Sequence, residues 1–316
     1  VTARPDVVTL GESMVTFRWP GPLALGVPLV ARLAGAESNV AIGLARLGHR
    51  VAWAGRVGQD AFGDLVLREL AAEGVDTRAA RRDPDAPTGL MFVESRTADV
   101  VRVEYRRAGS AGSRLDAADV EQALDPLPRV LHLTGITAAL EGPAAAAVLH
   151  AAELARAAGV LVSLDVNHRS RLWTADGARA GLRPLVRLTD LLIASEDELG
   201  LVASGDEETS VGKLLSEGVT RVAVKRGSAG SSLWGPRGRT DMDALAVTAV
   251  DVVGAGDAFC AGLLSGLLDG IDDADALARA NAVGAVAVST HGDWEGLPRR
   301  HELDQLAGVA AGTAHR

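Results

Sequence analysis

Cysteine and lysine are nearly missing from this chain, and each shortage removes a class of explanation. Cys260 is the single cysteine, so no disulfide forms within the chain and no thiolate cluster holds a metal. That fits a reducing compartment, and the expectation is a cytoplasmic protein. Lys213 and Lys225 are the only lysines. Neither stands in a Gly-Lys-Ser/Thr run, which rules out a Walker phosphate loop. Long apolar runs are absent as well. Nothing approaches the ~18 residues that span a bilayer, and the first residues hold no secretory apolar core. A basic surplus is also lacking. The formal net charge is −9, and the dense basic clusters are short pairs, Arg81-Arg82, Arg106-Arg107 and Arg299-Arg300. Neither nucleic acid nor a membrane is therefore an expected partner. His49, His132, His150 and His291 share no metal-ligand spacing and read as structural.

What is present is core material. Apolar residues make up 47% of 316 and charged residues 23%, as a globular chain requires. The dominant rhythm is a short apolar run, a small-residue turn and an amphipathic stretch. Residues 7–10, 51–54, 130–133, 160–164, 191–194 and 222–225 are continuous apolar runs. Parallel strands covered on both faces have that character. Helical patterns lie between them at 38–47, 61–73, 143–158 and 210–217, with Gly48, Gly74, Gly159 and Gly218 at the stop positions. From Ala255 onward the pattern is mostly helical. This alternation predicts an α/β fold, an open parallel sheet with helices on both faces.

Two segments break the rhythm, 12–34 and 88–109. The second reads as two antiparallel strands joined by a polar turn at 96–99. Together they predict a small β lid over the carboxyl edge of the sheet, where ligands sit in such folds. A lid exposes strand edges that a second lid would cover, so a homo-oligomer is expected through it.

Residues 246–268, AVTAVDVVGAGDAFCAGLLSGLL, carry the most chemistry. A β-like run ends in a Gly-Ala-Gly turn where a strong helix begins. Gly254 and Gly256 allow a tight turn and close approach to a ligand. The first N–H groups of the helix are unpaired and form an anion site. Asp257 stands in that first turn, where a carboxylate also complements the helix dipole. A dinucleotide fingerprint needs a small residue where Phe259 stands, which disfavours NAD. Phosphoryl transfer to a hydroxyl fits: the carboxylate takes the proton while N–H groups hold the moving charge.

The run Asp251-x-x-Gly254-Ala255-Gly256-Asp257, then Ala258-Phe259-x-x-Gly262, resembles the C-terminal signature of the ribokinase/PfkB carbohydrate kinases. Ala34-Gly35-Ala36-Glu37-Ser38-Asn39-x-Ala41, running into Leu47-Gly48, resembles their N-terminal signature. The resemblance covers nearly the whole chain. It implies a single catalytic domain over 1–316, with a three-layer α/β/α ribokinase-like fold, a mainly parallel sheet and the β lid. It implies ATP and Mg²⁺, and allows a monovalent cation near the turn from Asp251 to Gly254. Asp257 would be the base, and Gly254, Ala255 and Gly256 the anion hole.

Other sites follow from the resemblance. Asp165-Val166-Asn167-His168-Arg169, then Leu172-Trp173, is similar to the 2-keto-3-deoxygluconate kinase branch. There Arg169 would reach a sugar acid, with Asp165 and Asn167 near the phosphates. A guanidinium suits a carboxylate because it donates two parallel hydrogen bonds. Gly35, Asn39, Tyr105, Arg107 and Asp293 would complete the sugar site. Ser195, Lys225, Gly227, Gly230 and Asn281 would hold the nucleotide, and Glu198 the metal, directly or through water. The sequence departs from the branch at Met91, where an aromatic is common, at Ser195 for Asn, and at Val252 and Val253 for threonines. The alternatives are a fructokinase or ribokinase acting on a neutral sugar, and a non-catalytic sugar-sensing protein.

Overall fold

This computed structural model describes residues 4–95, 101–140 and 142–303; the turn expected at 96–99 lies outside them. The strands are β1 (Val7–Leu10), β2 (Met14–Pro20), β3 (Val30–Ala34), β4 (Val51–Ala54), β5 (Arg56–Gly58), β6 (Arg81–Asp83), β7 (Leu90–Ser95), β8 (Val101–Arg106), β9 (Val130–Thr134), β10 (Leu161–Asp165), β11 (Leu191–Ser195), β12 (Arg221–Lys225), β13 (Ser231–Gly235) and β14 (Gly238–Met242). The helices are α1 (Ala36–Arg46), α2 (Ala61–Ala72), α3 (Ala117–Ala123), α4 (Gly135–Ala138), α5 (Ala144–Ala157), α6 (Ala175–Val186), α7 (Glu207–Ser216), α8 (Ala255–Asp269) and α9 (Asp273–Val288). Local chemistry sets many of these limits. Asp60, Asp116, Asp206 and Asp272 each accept a backbone N–H in the first turn of the helix they precede. Gly48, Gly74, Gly159 and Gly218 take positive φ just past α1, α2, α5 and α7.

The apolar runs assemble into an eight-stranded sheet, ordered β14-β13-β12-β11-β10-β9-β1-β4. Every pair from β4 to β12 is parallel, and β13 and β14 add antiparallel at one edge. That edge hairpin escaped the sequence reading because SSLWG and GRTDM hold too few apolar residues to mark a buried strand. Successive residues of β1 face opposite layers. Val8 and Leu10 join the core beneath α3, α5, α6 and α7, whereas Val7 joins the one beneath α1, α2, α8 and α9. The result is the expected three-layer α/β/α arrangement.

Segments 12–34 and 88–109 meet in a second sheet, ordered β3-β2-β7-β8. Its inner pair is parallel and its outer pairs antiparallel. Phe17 stacks on Phe92 across the inner pair at 5.7 Å. Further details differ from the sequence reading. Helices α3 and α6 were not expected; α6 carries Pro184 in its last turn. The β-like run before Gly254 forms no strand. Val250 and Asp251 instead donate their N–H groups to Val288 O at 2.7 and 3.2 Å, and Val247, Val250, Val252 and Val253 are exposed. A β-prone run becomes a strand only when it pairs with one, and here its N–H groups go to the end of α9 instead.

Candidate active site

The ends of β10 and β12 and the start of α8 converge on one crevice. Gly254 precedes α8 with φ 79°, and a Cβ there would lie 2.0 Å from Asp293 O. Only glycine tolerates both constraints. Ala255 and Gly256 follow as the first helical residues, half-buried, with Asp257 buried behind them. Asn39 on α1 donates from Nδ2 to Asp257 Oδ2 at 2.8 Å, and Asn167 donates from Nδ2 to Oδ1 at 3.3 Å. Asn167 holds this position with φ 39°, unusual for a residue with a side chain. Burial pushes the Asp257 carboxyl up to about 6; the Asn39 hydrogen bond works against that rise and the nearby Asp165 charge adds to it.

Lys225, at the end of β12, donates from Nζ to Asp165 Oδ1 at 2.8 Å. The same nitrogen lies 3.3 Å from where a Cβ on Gly256 would stand. Burial disfavours the ammonium, but the surrounding negative charge, Asp165 first, together with the Asp165 hydrogen bond outweighs this and holds Lys225 protonated above lysine's usual range. A fixed positive charge thus faces the start of α8. Beside it opens a cleft of about 420 Å³ lined by Ser195, Glu196, Asp197, Lys225, Arg226 and Gly227. Cys260 sits behind, its Sγ donating to Asp165 Oδ2 at 3.4 Å. Burial raises its thiol well above the ordinary range, so it packs as a neutral group.

Other residues expected at the nucleotide have structural work. Glu198 accepts the N–H of His168 at 2.7 Å and that of Ser195 at 2.8 Å, joining the loops after β10 and β11. Asn281 spends its amide on Ser231 Oγ, Met242 O and Asp243 O, holding the exit of β14. A Cβ on Gly230 would lie 2.2 Å from Met242 O, so this glycine packs the same corner. Gly227 is exposed at the rim of the cleft.

Of the residues expected at the sugar, Gly35 packs against Glu12, whose carbonyl oxygen would lie 2.6 Å from an added Cβ. Arg107 forms an ion pair with buried Glu12 and lies over the Tyr105 ring at 5.5 Å. Ser110 Oγ donates to the other Glu12 oxygen at 2.5 Å. Arg169 is exposed, and its charge helps lower Asp257 toward ionisation. Asp293 accepts from Arg18 of β2 at 2.8 Å, and burial pushes its carboxyl up to about 7 despite that guanidinium. Glu12 and Arg18 were missed by the sequence reading. Both lie in a segment legible only as a lid, and their partners stand far along the chain. Glu37 was seen only as part of a signature. It is buried in α1, accepting from Thr134 at 2.6 Å and Thr137 at 2.5 Å, and burial raises it to about 7.

A profile described as pfkB family carbohydrate kinase matches residues 6–300. The chain belongs to this family. The 2-dehydro-3-deoxygluconokinase of Bacillus subtilis is 37% identical over 94% of this chain and 94% of its own. That of Thermoproteus tenax is 34% identical over 95% and 94%. The probable chloroplastic fructokinase-6 of Arabidopsis thaliana is 32% identical over 95% and 82%. Among solved structures, a PfkB protein from Polaromonas sp. JS666 superposes with a TM-score of 0.86 at 36% identity, covering 95% of this chain and 99% of that one. A putative ribokinase II from E. coli, in complex with ATP and Mg²⁺, gives 0.88 at 29% identity over 96% and 99%. The chain is accordingly an ATP-dependent sugar kinase of the pfkB family, and its central crevice is the place to look for its chemistry.

Proposed function

We propose that this kinase transfers the γ-phosphoryl group of ATP to the primary hydroxyl of a sugar acid, 2-keto-3-deoxygluconate, giving its 6-phosphate. The observation that carries the reading is Asp257, buried at the start of α8 between two asparagine amides, with Lys225 facing the same turn. Asp257 takes the hydroxyl proton as the oxygen attacks, and the N–H groups of Gly256 and Asp257 hold the developing charge, joined by that of Ala255 once it leaves Val252 O, to which it donates at 3.4 Å. ATP would lie in the cleft beside Ser195, Lys225 and Gly227, with Asp165 fixing the lysine and Asn167 near the phosphates. Closure of the small sheet would exclude water.

Mg²⁺ bound to ATP neutralises phosphate charge. Among the described residues no cluster of three or more acidic, His or Cys side chains suits a metal ion. The ion would arrive with its phosphates, with Glu198 near it directly or through water. Asn281 supports the adenine end by fixing β14.

Two arginines favour an acidic substrate, and two relatives are named for that sugar. Arg169 is exposed and its charge acts on Asp257, and Tyr105 with Asp293 would contact the hydroxyls. A neutral sugar is the second reading. It is favoured by the Arg107–Glu12 ion pair, which already occupies one of the two arginines. No helix among the described residues is long and apolar enough to cross a membrane. Leu23, Leu25, Leu29 and Val30 are exposed beside β3, which supports a homo-oligomer formed through the small sheet. ADP release across a sugar panel with Mg²⁺ tests the substrate. Selective turnover of 2-keto-3-deoxygluconate, lost in Asp257→Asn, is expected. Turnover of fructose or ribose alone transfers the assignment to the neutral sugar.

A further inference from the structure

The family resemblance allows a monovalent cation beside the turn that opens α8. The side chains there do not fit one, because a guanidinium already stands between the carboxylates. Arg18 reaches from β2 of the small sheet. Its Nη1 donates to Asp251 Oδ2 at 2.6 Å and its Nη2 to Asp293 Oδ1 at 2.8 Å. Asp251 also accepts the N–H of Val253 at 3.1 Å and that of Gly292 at 3.3 Å. These contacts join the turn before α8 to the loop after α9. Side-chain exposure is 17% for Arg18, 13% for Asp251 and 6% for Asp293, so the charges are largely out of water. Carboxylates placed like that require a partner, and Arg18 serves both with its planar fork. The clamp reaches the anion hole directly. The Asp293 carbonyl fills the space beside Gly254 that a side chain would take, and Gly254 is the residue from which α8 starts.

We propose that Arg18 is a positioning residue that acts as a built-in cation. By clamping Asp251 to Asp293 it fixes the turn that aims the first amides of α8, and it makes turnover independent of monovalent cations. Because Arg18 stands on the small sheet, the same contact ties that sheet to the anion hole. The proposal rests on the start of α8 being the phosphoryl-transfer site. That reading fails separately, if Asp257→Asn keeps its turnover.

The test compares kcat in potassium, sodium and tetramethylammonium buffers of equal ionic strength, for wild type and Arg18→Ala. Wild type should turn over equally in all three. Arg18→Ala should lose about 10- to 100-fold in kcat, as removal of a group that orients a site commonly does. Added guanidinium or potassium, but not tetramethylammonium, should restore much of that loss, since the small ions refill the gap between two carboxylates. A wild type that needs potassium overturns the proposal. So does a folded Arg18→Ala whose loss no small cation restores, or one with no loss at all. If Arg18→Ala does not fold, Arg18→Lys decides. Its single ammonium cannot fork to both carboxylates, so its kcat should fall and respond to potassium; full, potassium-insensitive activity would refute the clamp.

Discussion

The protonation of Asp257 gives the sharpest test of the proposed mechanism. Burial raises this carboxyl to about 6 from an ordinary 3.8, so the base should titrate within the working range of an assay. With a midpoint of about 6, about 91% of the carboxyl is ionised at pH 7 and about 9% at pH 5. The kcat/KM for the sugar should therefore fall about tenfold between those pH values, along a single-proton curve. An aspartate at its ordinary value would still be about 94% ionised at pH 5, and the profile would be nearly flat. Saturating Mg²⁺ and ATP keep the nucleotide bound throughout, and its negative charge moves the midpoint up, never down toward the ordinary value. Asn39→Ala adds a signed control. The amide donates to Asp257 Oδ2 at 2.8 Å and favours the charged form. Removing it should raise the midpoint by about one pH unit, a typical worth for a hydrogen bond to a charged group. Activity lost at pH 7 should then return at pH 8.5. A wild-type profile flat from pH 7 to 5 would refute the reasoning, as would an Asn39→Ala midpoint that stays put or falls.

Other residues make independent tests. Glu37 has a folded pKa of about 7, above its ordinary 4.5, because it is fully buried. A raised carboxyl contributes stability that is fully present below about pH 4.5 and lost as pH rises through about 7. Thermal melts of wild type should therefore decline between about pH 4.5 and 7 and level off above, and that decline should shrink in Glu37→Gln; parallel curves would count against a buried titrating Glu37. Arg169→Ala removes an exposed guanidinium, so Tm should hold while KM for a sugar acid rises about 10- to 100-fold and that for neutral sugars does not. An unchanged KM would mean that Arg169 points away from the substrate. Gly254→Ala forces a Cβ within 2.0 Å of Asp293 O at a φ of 79°. Urea titration should find it destabilised by about 2 kcal/mol or more, with turnover lost; wild-type stability and rate would show that the loop yields freely.

Much of this was written locally. The six parallel strands announce themselves as continuous apolar runs, and stop glycines mark where four helices end, because burial and backbone handedness act on neighbours in sequence. The turn at Gly254 and Asp257 was legible for the same reason: a tight turn, an anion-binding helix start and an acid lie within four residues. Polar edge strands such as β13 and β14 carry no such mark. The valine-rich run before Gly254 carries a misleading one, since strand propensity needs a partner that only the assembled sheet provides or withholds.

The pairings around Asp257 were decided by tertiary structure. Asn39 meets Asp257 across 218 positions and Arg18 meets Asp251 across 233, distances over which no periodicity operates. Sequence placed Arg107 as a reader of substrate, but only the fold brought it to Glu12. The pKa of Asp257 likewise belongs to the fold, because burial between layers sets it. The sequence by itself determined which groups were available and which runs would become buried parallel strands. The crossovers of the chain determined which of those groups would meet out of water, where charge and hydrogen bonding are strong enough to do chemistry.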